Sequence, residues 1–249
     1  MSYNVLAPSY ARPKFYIYCQ EHLDTPIRSS RIINTALIIN ADIQLYQEIE
    51  VELYESLLKG DVDGFFATKE AREEGLAILV NTNKWEVLGR GKISLFEDFP
   101  QHMIYVELKH RETNHRMVVS NVHLLGDPSK QDIQLKQIKC AVSYTISKPA
   151  DQYIIAGDFN ADPYSQPYDF MAECGFVNLI KESLGRDLET TFKTDKIDRS
   201  IDYIWSLHNN YDLVGAKSES KSIDEPIPNA TSGSDHIPIS VTITLKSNK

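Results

Sequence analysis

The sequence predicts an α/β protein in which two sheets, each with one covered face, pack against each other. Short apolar runs typical of strands recur along the 249-residue chain, and helical patterns separate them in blocks. Some strand-like runs are continuously apolar, as at 153–156, whereas others alternate strictly, as at 237–245, and packed sheets account for this mixture. The sequence contains no linker, repeat or low-complexity tract, so we expect one domain covering residues 1–249.

The chain is expected to open with a strand at 3–6 and to continue through a loop into a helix. Thr25 has the side chain of an N-cap and Pro26 suits the first helical position, so the helix should start there and run to about residue 40. The face of this helix that meets the rest of the protein is expected to contain Ile33, Ala36, Leu37 and Asn40.

The middle of the chain is expected to consist mainly of strands. A strand at 43–47 should end at Glu48, and a short helix should then stop near Gly60. The apolar runs that follow are bounded by turn residues, which favours hairpins over helices. Strands are expected at 76–80, 85–88, 103–108 and 116–122.

The last hundred residues are expected to combine helices with strands. Ser129 can cap a helix that extends to about residue 147, and a second helix at 165–174 should be stopped by Gly175. Strands are expected at 153–156, 201–205 and 237–245.

The composition limits the classes of substrate and location. The net charge is −9 and the pI is about 5.3, so the protein lacks the basic balance of a non-specific duplex binder. A nucleic-acid substrate would need a bound metal and a local basic cluster, which favours a small or single-stranded substrate. No signal peptide or membrane-spanning apolar run is evident, and three widely spaced cysteines indicate reduced thiols, so the expected location is the cytoplasm.

Polar residues stand at the ends of several predicted strands. The most specific example is Asp158-x-Asn160, which follows the apolar run 153–156 and a glycine. Each cluster alone is typical of a surface residue, a turn or a cap, but together they supply the carboxylates, amides and imidazoles that metal-assisted phosphate chemistry requires. The clusters contain Asn4, Glu48, Asn121, His123, Asp158, Asn160, Asp202, Asp235 and His236.

These motifs resemble the endonuclease/exonuclease/phosphatase superfamily, which has the deoxyribonuclease-I-like fold. Within it the chain looks most like the deadenylase branch, which includes the carbon-catabolite-repressor deadenylases, nocturnin and angel. The resemblance implies a four-layer α-β-β-α sandwich, with two packed mixed sheets flanked by helices. The segments that carry it are 2–7, 47–50, 121–124, 157–165, 201–204 and 234–236.

The resemblance also implies a magnesium site, in which Mn²⁺ can substitute. Glu48 would be the principal ligand, with Asn4 and Asp235 nearby. Asp158 would position the attacking water or a second metal ion. Asn160 would bind the scissile phosphate.

Two histidines complete the site that the resemblance implies. His236 would contact the phosphate or act as the base, and Asp202 would orient it. His123 would be a second phosphate donor or the acid that protonates the leaving group. The resemblance leaves open which residue accepts the proton.

Three residues are candidates for binding the substrate. Asn121 belongs to the Asn-x-His cluster, Phe192 could stack on a base or be an ordinary core residue, and Arg199 could grip a phosphate or be solvated. The loop 10–18 interleaves tyrosines with basic residues, which suits stacking on single-stranded bases but is also typical of local packing. Arg28 is expected to lie on a solvated helix face.

The predicted function is magnesium-dependent hydrolysis of phosphodiester bonds. We expect a deadenylase-like 3′-5′ exoribonuclease acting on single-stranded RNA, with poly(A) as one candidate, and releasing 5′-nucleotides. One alternative is a DNA endonuclease or repair nuclease, or a phosphatase acting on a small phosphorylated nucleotide. A non-catalytic binding module is a third option, although every metal and histidine position is filled. The sequence indicates no membrane association and no particular protein partner.

Overall fold

Two six-stranded sheets face each other in the computed structural model, which describes residues 1–207, 211–218 and 225–246. The strands of the first sheet run antiparallel except at its centre, where the first and second strands of the chain pair in parallel. In spatial order this sheet contains Tyr211–Ser218 (β13), Ile239–Leu245 (β14), Ser2–Asn4 (β1), Ile43–Ile49 (β2), Gly75–Asn81 (β4) and Val62–Thr68 (β3).

The second sheet has the same mixed character, with a single parallel pair of strands, Arg116–His123 and Gln152–Asp158, at its centre. In spatial order it contains Trp85–Ser94 (β5), His102–His110 (β6), Arg116–His123 (β7), Gln152–Asp158 (β8), Asp202–Leu207 (β12) and Val177–Asn178 (β9). A separate two-stranded ribbon pairs Phe192–Lys193 (β10) with Asp198–Arg199 (β11).

Four of the described helices cover the outer faces of the two sheets. The described helices are Thr25–Ile39 (α1), Val51–Leu57 (α2), Gln131–Ile146 (α3), Gln166–Glu173 (α4), Leu179–Leu184 (α5) and the 3₁₀ helix Ile17–His22. Side chains of α1 and α2 pack on the first sheet, and side chains of α3 and α4 pack on the second. The predicted four-layer sandwich is therefore confirmed. None of the described helices is long and apolar enough to cross a lipid bilayer.

A core shared by both sheets lies between them. Leu76 and Ile78 of β4 meet Ile104 and Val106 of β6 there, and all four side chains are buried. Burying a side chain of this size contributes about 1.5–3 kcal/mol, so the inner faces hold the sheets together. This double coverage explains why the central strands read as continuous apolar runs.

Helix α1 differs in detail from its prediction. Asp24, not Thr25, is the N-cap, and its Oδ1 accepts a hydrogen bond from the backbone N of Ile27 at 3.2 Å. The buried face contains Ile32 and Ala36, while Leu37 is 70% exposed. The predicted face was wrong by one position because residues four apart, at 28, 32 and 36, point at the sheet.

Other differences concern caps and short elements. Ser129 does not cap α3; its N and Oγ both donate to Asp127 Oδ1, at 3.0 and 2.7 Å, and Lys130 occupies the cap position. Helix α4 and its stop at Gly175, which has a φ of +81°, agree with the prediction. The elements that the sequence did not predict are α5, β3, β9, β10, β11, β13 and the 3₁₀ helix.

Gly157 allows β8 to lie close to β7. Its φ is +143°, and a Cβ at this position would lie 2.0 Å from the carbonyl oxygen of Val122. Because backbone strain and the clash add, we expect Gly157→Ala to lower the free energy of unfolding by about 3 kcal/mol or more. Urea denaturation measures this change.

The control for that measurement is Gly215→Ala. A Cβ at Gly215 would meet no described atom within 4 Å, and its φ lies outside the left-handed region. We expect its effect to stay within about 1 kcal/mol. Equal losses of unfolding free energy in Gly157→Ala and Gly215→Ala would show that the close approach of Gly157 to Val122 does not require a glycine at position 157.

Candidate active site

Strand ends from both sheets meet at one edge of the sandwich. Asn4 ends β1, and its Nδ2 donates to Asp158 Oδ2 at 3.0 Å and to Glu48 Oε1 at 3.2 Å. His123 Nε2 lies 3.5 Å from Asp158 Oδ2, and His236 Nε2 lies 3.7 Å from the same oxygen. From the sequence we expected these residues to lie close together, and in the structure they surround the Asp158 carboxylate.

A bulge in β2 aims Glu48 into the site. The pairing of β2 with β4 shifts between Gln47 and Ile49, and Glu48 between them has a φ of +54°. Such a conformation is strained for a residue with a side chain, and bulges commonly redirect a side chain next to an active site. The Glu48 Oε2 atom accepts a hydrogen bond from the backbone N of Ala7 at 3.2 Å.

Asn160 lies on the turn that leaves β8. Its backbone N donates to Asp158 Oδ1 at 2.8 Å, which directs the carboxylate, and its φ is +51°. Its Nδ2 donates to the carbonyl oxygen of Leu124 at 3.1 Å. The turn therefore holds Asp158 and Asn160 in one unit at the end of the strand.

His236 and Asp202 form a buried pair. His236 Nδ1 lies 2.9 Å from Asp202 Oδ2, and the Phe192 ring packs on the imidazole with a centroid distance of 4.9 Å. The Thr191 Oγ1 atom accepts hydrogen bonds from the backbone N of Ile201 and of Asp202, at 2.9 and 3.1 Å. These contacts fix the aspartate under the histidine.

The charges around His236 favour its protonated form. Burial disfavours a charged imidazole, but the carboxylates of Asp202, Asp158 and Asp235 outweigh this cost and raise the pKa of His236 to about 10. At neutral pH this side chain is a charged hydrogen-bond donor. The opposite holds for His123, because burial and the Lys69 ammonium keep its pKa well below the usual value.

Asp235 is held from the side of the loop between β1 and α1. The Tyr16 hydroxyl donates to Asp235 Oδ2 at 2.6 Å, and Ser234 Oγ donates to the backbone oxygen of Asn4 at 2.8 Å. The segment before β14 is thereby attached to the end of β1, which brings Asp235 and His236 to the site.

The carboxylates at the site are poorly compensated by positive charge. Burial, and then Asp235, raise the pKa of Glu48 to about 7; burial, and then Asp202, raise the pKa of Asp158 to about 6. Asp202 Oδ1 is buried without a hydrogen-bond partner among the described residues. Hard carboxylate oxygens with excess negative charge match the ligand preference of a divalent cation such as Mg²⁺.

The geometry revises the expected ligand set at Asn4. The backbone N of Leu6 donates to Asn4 Oδ1 at 3.0 Å, so the amide presents its nitrogen, not its oxygen, to the two carboxylates. Asn4 therefore holds Glu48 and Asp158 together. Glu48 and Asp235 keep carboxylate oxygens suited to a metal ion.

A second group of possible ligand atoms lies within 4.8 Å among the described residues: one from each of Asp158, Asp202 and His236. Because His236 Nδ1 contacts Asp202 Oδ2 directly at 2.9 Å, we interpret this group as a hydrogen-bonded relay next to Asp158. It does not need a metal ion to explain its arrangement.

The prediction that Asn121 binds substrate is wrong. Its Nδ2 donates to the backbone oxygens of Tyr46 and Ala77 at 2.8 and 2.9 Å, and its Oδ1 accepts from Gln47 Nε2 at 2.7 Å. The side chain is fully buried and joins β7 of the second sheet to the first sheet. Its polar atoms are used by the protein itself.

Two further substrate candidates lie at the rim. Arg199 donates from Nε and Nη2 to the Asp162 carboxylate, at 3.0 and 2.8 Å, and from Nη2 to the backbone oxygen of Asn160 at 3.2 Å. It thus braces the loop that carries Asn160, and its contact with a phosphate stays a prediction. Phe192 supports His236, and its stacking on a base likewise stays a prediction.

The tyrosines of the loop 10–18 turn inward. The Tyr10 hydroxyl donates to Glu74 Oε1 at 3.0 Å, and the Tyr18 hydroxyl donates to the backbone oxygen of Ile227 at 2.5 Å. Together with Tyr16 on Asp235, these bonds strap the loop across the site. This packing accounts for the aromatic pattern of the loop.

Arg28 is buried, contrary to the expectation of a solvated helix face. It is 2% exposed, and it donates to the backbone oxygens of Gly233, Val5 and Leu6. Its guanidinium therefore connects α1 to the segments that carry Asn4 and Asp235. In the sequence, Arg28 stands four residues before Ile32 and so in line with the buried face of the helix. An arginine at such a position is ordinarily solvated, so its burial was not predicted.

No family model matches the chain. Among curated relatives, the CCR4-Not complex 3′-5′-exoribonuclease subunit Ccr4 of Mycosarcoma maydis is 25% identical, over 99% of this chain and 50% of its own length. The 2′,5′-phosphodiesterase 12 of Homo sapiens is 26% identical, over 69% of this chain and 35% of its own length. The chain thus spans half or less of the length of these relatives.

Solved structures show the same architecture. ANGEL2, a 2′,3′-cyclic phosphatase solved with adenosine-2′,3′-vanadate, aligns with a TM-score of 0.85 and 19% identity, over 98% of this chain and 94% of its own. The human nocturnin catalytic domain aligns with a TM-score of 0.73 and 20% identity, over 96% and 92% of the two chains. The chain thus has the fold of the endonuclease/exonuclease/phosphatase superfamily, and its predicted resemblance to the hydrolytic enzymes of that superfamily is confirmed.

Proposed function

We propose that the protein is a magnesium-dependent phosphodiesterase that hydrolyses RNA from the 3′ end and releases 5′-nucleotides, as a deadenylase-like 3′-5′ exoribonuclease. The observation that carries this proposal is the cluster around Asp158. Two imidazoles and one amide from both sheets lie within 3.0–3.7 Å of one carboxylate oxygen. Such a set combines hydrogen-bond donors with an acceptor at one point, as hydrolysis of a phosphodiester requires.

Each side chain has a chemical task in this proposal. His236, charged through Asp202, donates to a non-bridging phosphate oxygen, and His123 donates from the other side of Asp158. The Asn160 amide binds the same phosphate at the rim. The Asp158 carboxylate accepts a hydrogen bond from the attacking water and orients it towards phosphorus.

The reaction exchanges one phosphorus–oxygen bond for another. Water oxygen bonds to phosphorus and loses a proton, the bond to the 3′ oxygen of the preceding nucleotide breaks, and that oxygen takes up a proton in exchange for the one that the water lost. Glu48 and Asp235 would hold the magnesium ion, which when bound supplies neutralisation of the phosphate charge. The terminal residue leaves as a 5′-nucleotide.

The similar proteins support a ribose phosphate as substrate. Their names describe a 3′-5′-exoribonuclease, a 2′,5′-phosphodiesterase and a 2′,3′-cyclic phosphatase. All three descriptions concern bonds at the 2′ or 3′ oxygen of ribose. Hydrolysis of a 2′,5′ linkage or of a 2′,3′-cyclic phosphate is therefore the second candidate activity at the same site.

A substrate panel tests this proposal. We expect 5′-labelled poly(A) and mixed-sequence RNA to shorten progressively from the 3′ end with Mg²⁺, to release 5′-nucleotides, and to stay intact in EDTA. The panel also contains 2′,5′-linked oligoadenylate, RNA with a terminal 2′,3′-cyclic phosphate, nicked plasmid and NADPH. Cleavage confined to one of these would replace the exoribonuclease assignment with that activity, and binding without cleavage would indicate a binding module.

A further inference from the structure

Lys69 places a buried ammonium group beside the candidate active site. The residue is only 7% exposed, and its Nζ lies 3.1 Å from Glu74 Oε1 and 3.3 Å from His123 Nδ1. A buried lysine is rare unless it is paired, and the Glu74 carboxylate provides the counterion. The contact with His123 is a second, separate interaction of the same ammonium.

The hairpin between β3 and β4 holds this ammonium in place. Lys69 directly follows β3 and Glu74 directly precedes β4, and the backbone N of Lys69 donates to the backbone oxygen of Glu74 at 3.0 Å. The Tyr10 hydroxyl also donates to Glu74 Oε1, at 3.0 Å. The ion pair between Lys69 and Glu74 is thus held in place by the turn between β3 and β4 and by the loop 10–18.

The ammonium determines which nitrogen of His123 can carry a proton. An ammonium has donors only, so Nδ1 of His123 must be the acceptor of this hydrogen bond. The proton of the neutral imidazole then lies on Nε2. That atom faces two acceptors, Asp158 Oδ2 at 3.5 Å and Glu48 Oε1 at 3.9 Å, which agrees with a donor at this position.

We propose that Lys69 is a positioning residue that locks His123 as the neutral tautomer with its proton on Nε2. Locked in this way, His123 serves as a fixed donor to the substrate phosphate and not as a base; this second part rests on the proposed function. His236 has the reverse arrangement, because its Nδ1 faces the Asp202 carboxylate. One histidine is therefore oriented by a cation and the other by an anion.

Two variants separate the donor from the rest of the lysine. Lys69→Met has similar length but no donor, and Lys69→Arg keeps a charged donor. Two-bond ¹H–¹⁵N correlation spectra of ¹⁵N-histidine-labelled protein report the tautomer, with His123→Gln used to assign the signal. We expect the Nε2–H tautomer in the wild-type protein and in Lys69→Arg, and a mixture of tautomers in Lys69→Met.

The kinetic expectation follows from the same lock. Lys69→Met should lower kcat on poly(A) about tenfold with little change in KM, and Lys69→Arg should restore most of it. Lys84→Met is the matched control, because its ammonium pairs with Asp42 on an exposed surface. If Lys69→Met leaves Glu74 buried without a counterion and fails to fold, the double variant Lys69→Met with Glu74→Gln removes that charge.

The spectra decide the proposal independently of any activity. A wild-type His123 protonated on Nδ1 alone, or on both nitrogens, would overturn it, and so would a tautomer unchanged in Lys69→Met. An increase in KM instead of a loss of kcat would assign Lys69 to direct substrate binding. If the substrate panel shows no RNA hydrolysis while the tautomer shifts as expected, the proposed function fails and the lock stands.

Discussion

Glu48→Gln is expected to abolish magnesium-dependent hydrolysis while the protein keeps its fold. The substitution removes the carboxylate that the bulge of β2 aims at the site, and we expect kcat to fall by about three orders of magnitude. The amide oxygen can still accept the hydrogen bond from the backbone N of Ala7. Because burial raises the pKa of Glu48 to about 7, loss of this charge should not lower the melting temperature.

Two measurements check this expectation. Rates on poly(A) at saturating Mg²⁺ give kcat, and isothermal titration calorimetry should show a magnesium site in the wild-type protein that disappears in the variant. Glu52→Gln is the matched control, since Glu52 lies exposed on α2 and should retain full activity. Full activity of the Glu48→Gln variant would show that Glu48 is not a metal ligand.

Asp202→Asn is expected to lower the rate about as much as Glu48→Gln. The carboxylate contacts His236 Nδ1 at 2.9 Å, and an amide there no longer stabilises the imidazolium. We expect kcat to fall by about three orders of magnitude, with KM changed much less, because the charge of His236 acts on the developing charge of the transition state. Asp212→Asn is the control, because that carboxylate is exposed and pairs with Lys246.

The pH dependence of stability gives an independent check of the same pair. The folded pKa of His236 is raised to about 10, so the stabilisation it provides is fully present below the unfolded value of about 6.5 and is lost as the pH rises through 10. In EDTA, the difference in unfolding free energy between wild type and Asp202→Asn should be largest near pH 6 and should shrink towards pH 10. A difference that grows with pH would contradict the charged pair.

The polar residues at the strand ends were predictable where they follow an apolar run that is typical of a strand. Asp158 follows an apolar run and a glycine, and Glu48 follows another run, so each position could be read locally. The bulge at Glu48 was not readable, since it depends on the pairing of β2 with β4. The same limit applies to Asn121, whose partners Tyr46 and Ala77 lie on two strands of the other sheet.

Lys69 shows most clearly what local pattern cannot provide. The run 69–74 contains five charged residues around Ala71, which is typical of a solvated turn. Lys69 and Glu74 are buried because the hairpin between β3 and β4 packs against the loop 10–18 and β7. These contacts are made with distant parts of the chain, so the residues next to Lys69 in the sequence do not indicate them. The N-cap of α1 is a smaller example of the same limit. Thr25 was expected there and Asp24 is found, because both side chains suit that role.

The amide bridge of Asn121 and Gln47 has a consequence for how the molecule tolerates distant change. Each working pair at the site spans the two sheets: Asn4 with Asp158, Glu48 with His123, and the His236 segment beside β14 with Asp202. The bridge lies one residue below Glu48 and two below His123, where it resists sliding of one layer over the other. A shear of about 1 Å would misalign all these pairs together, which is enough to cost about a hundredfold in rate. Substitutions deep between the layers can therefore abolish the proposed activity while the chain is still folded.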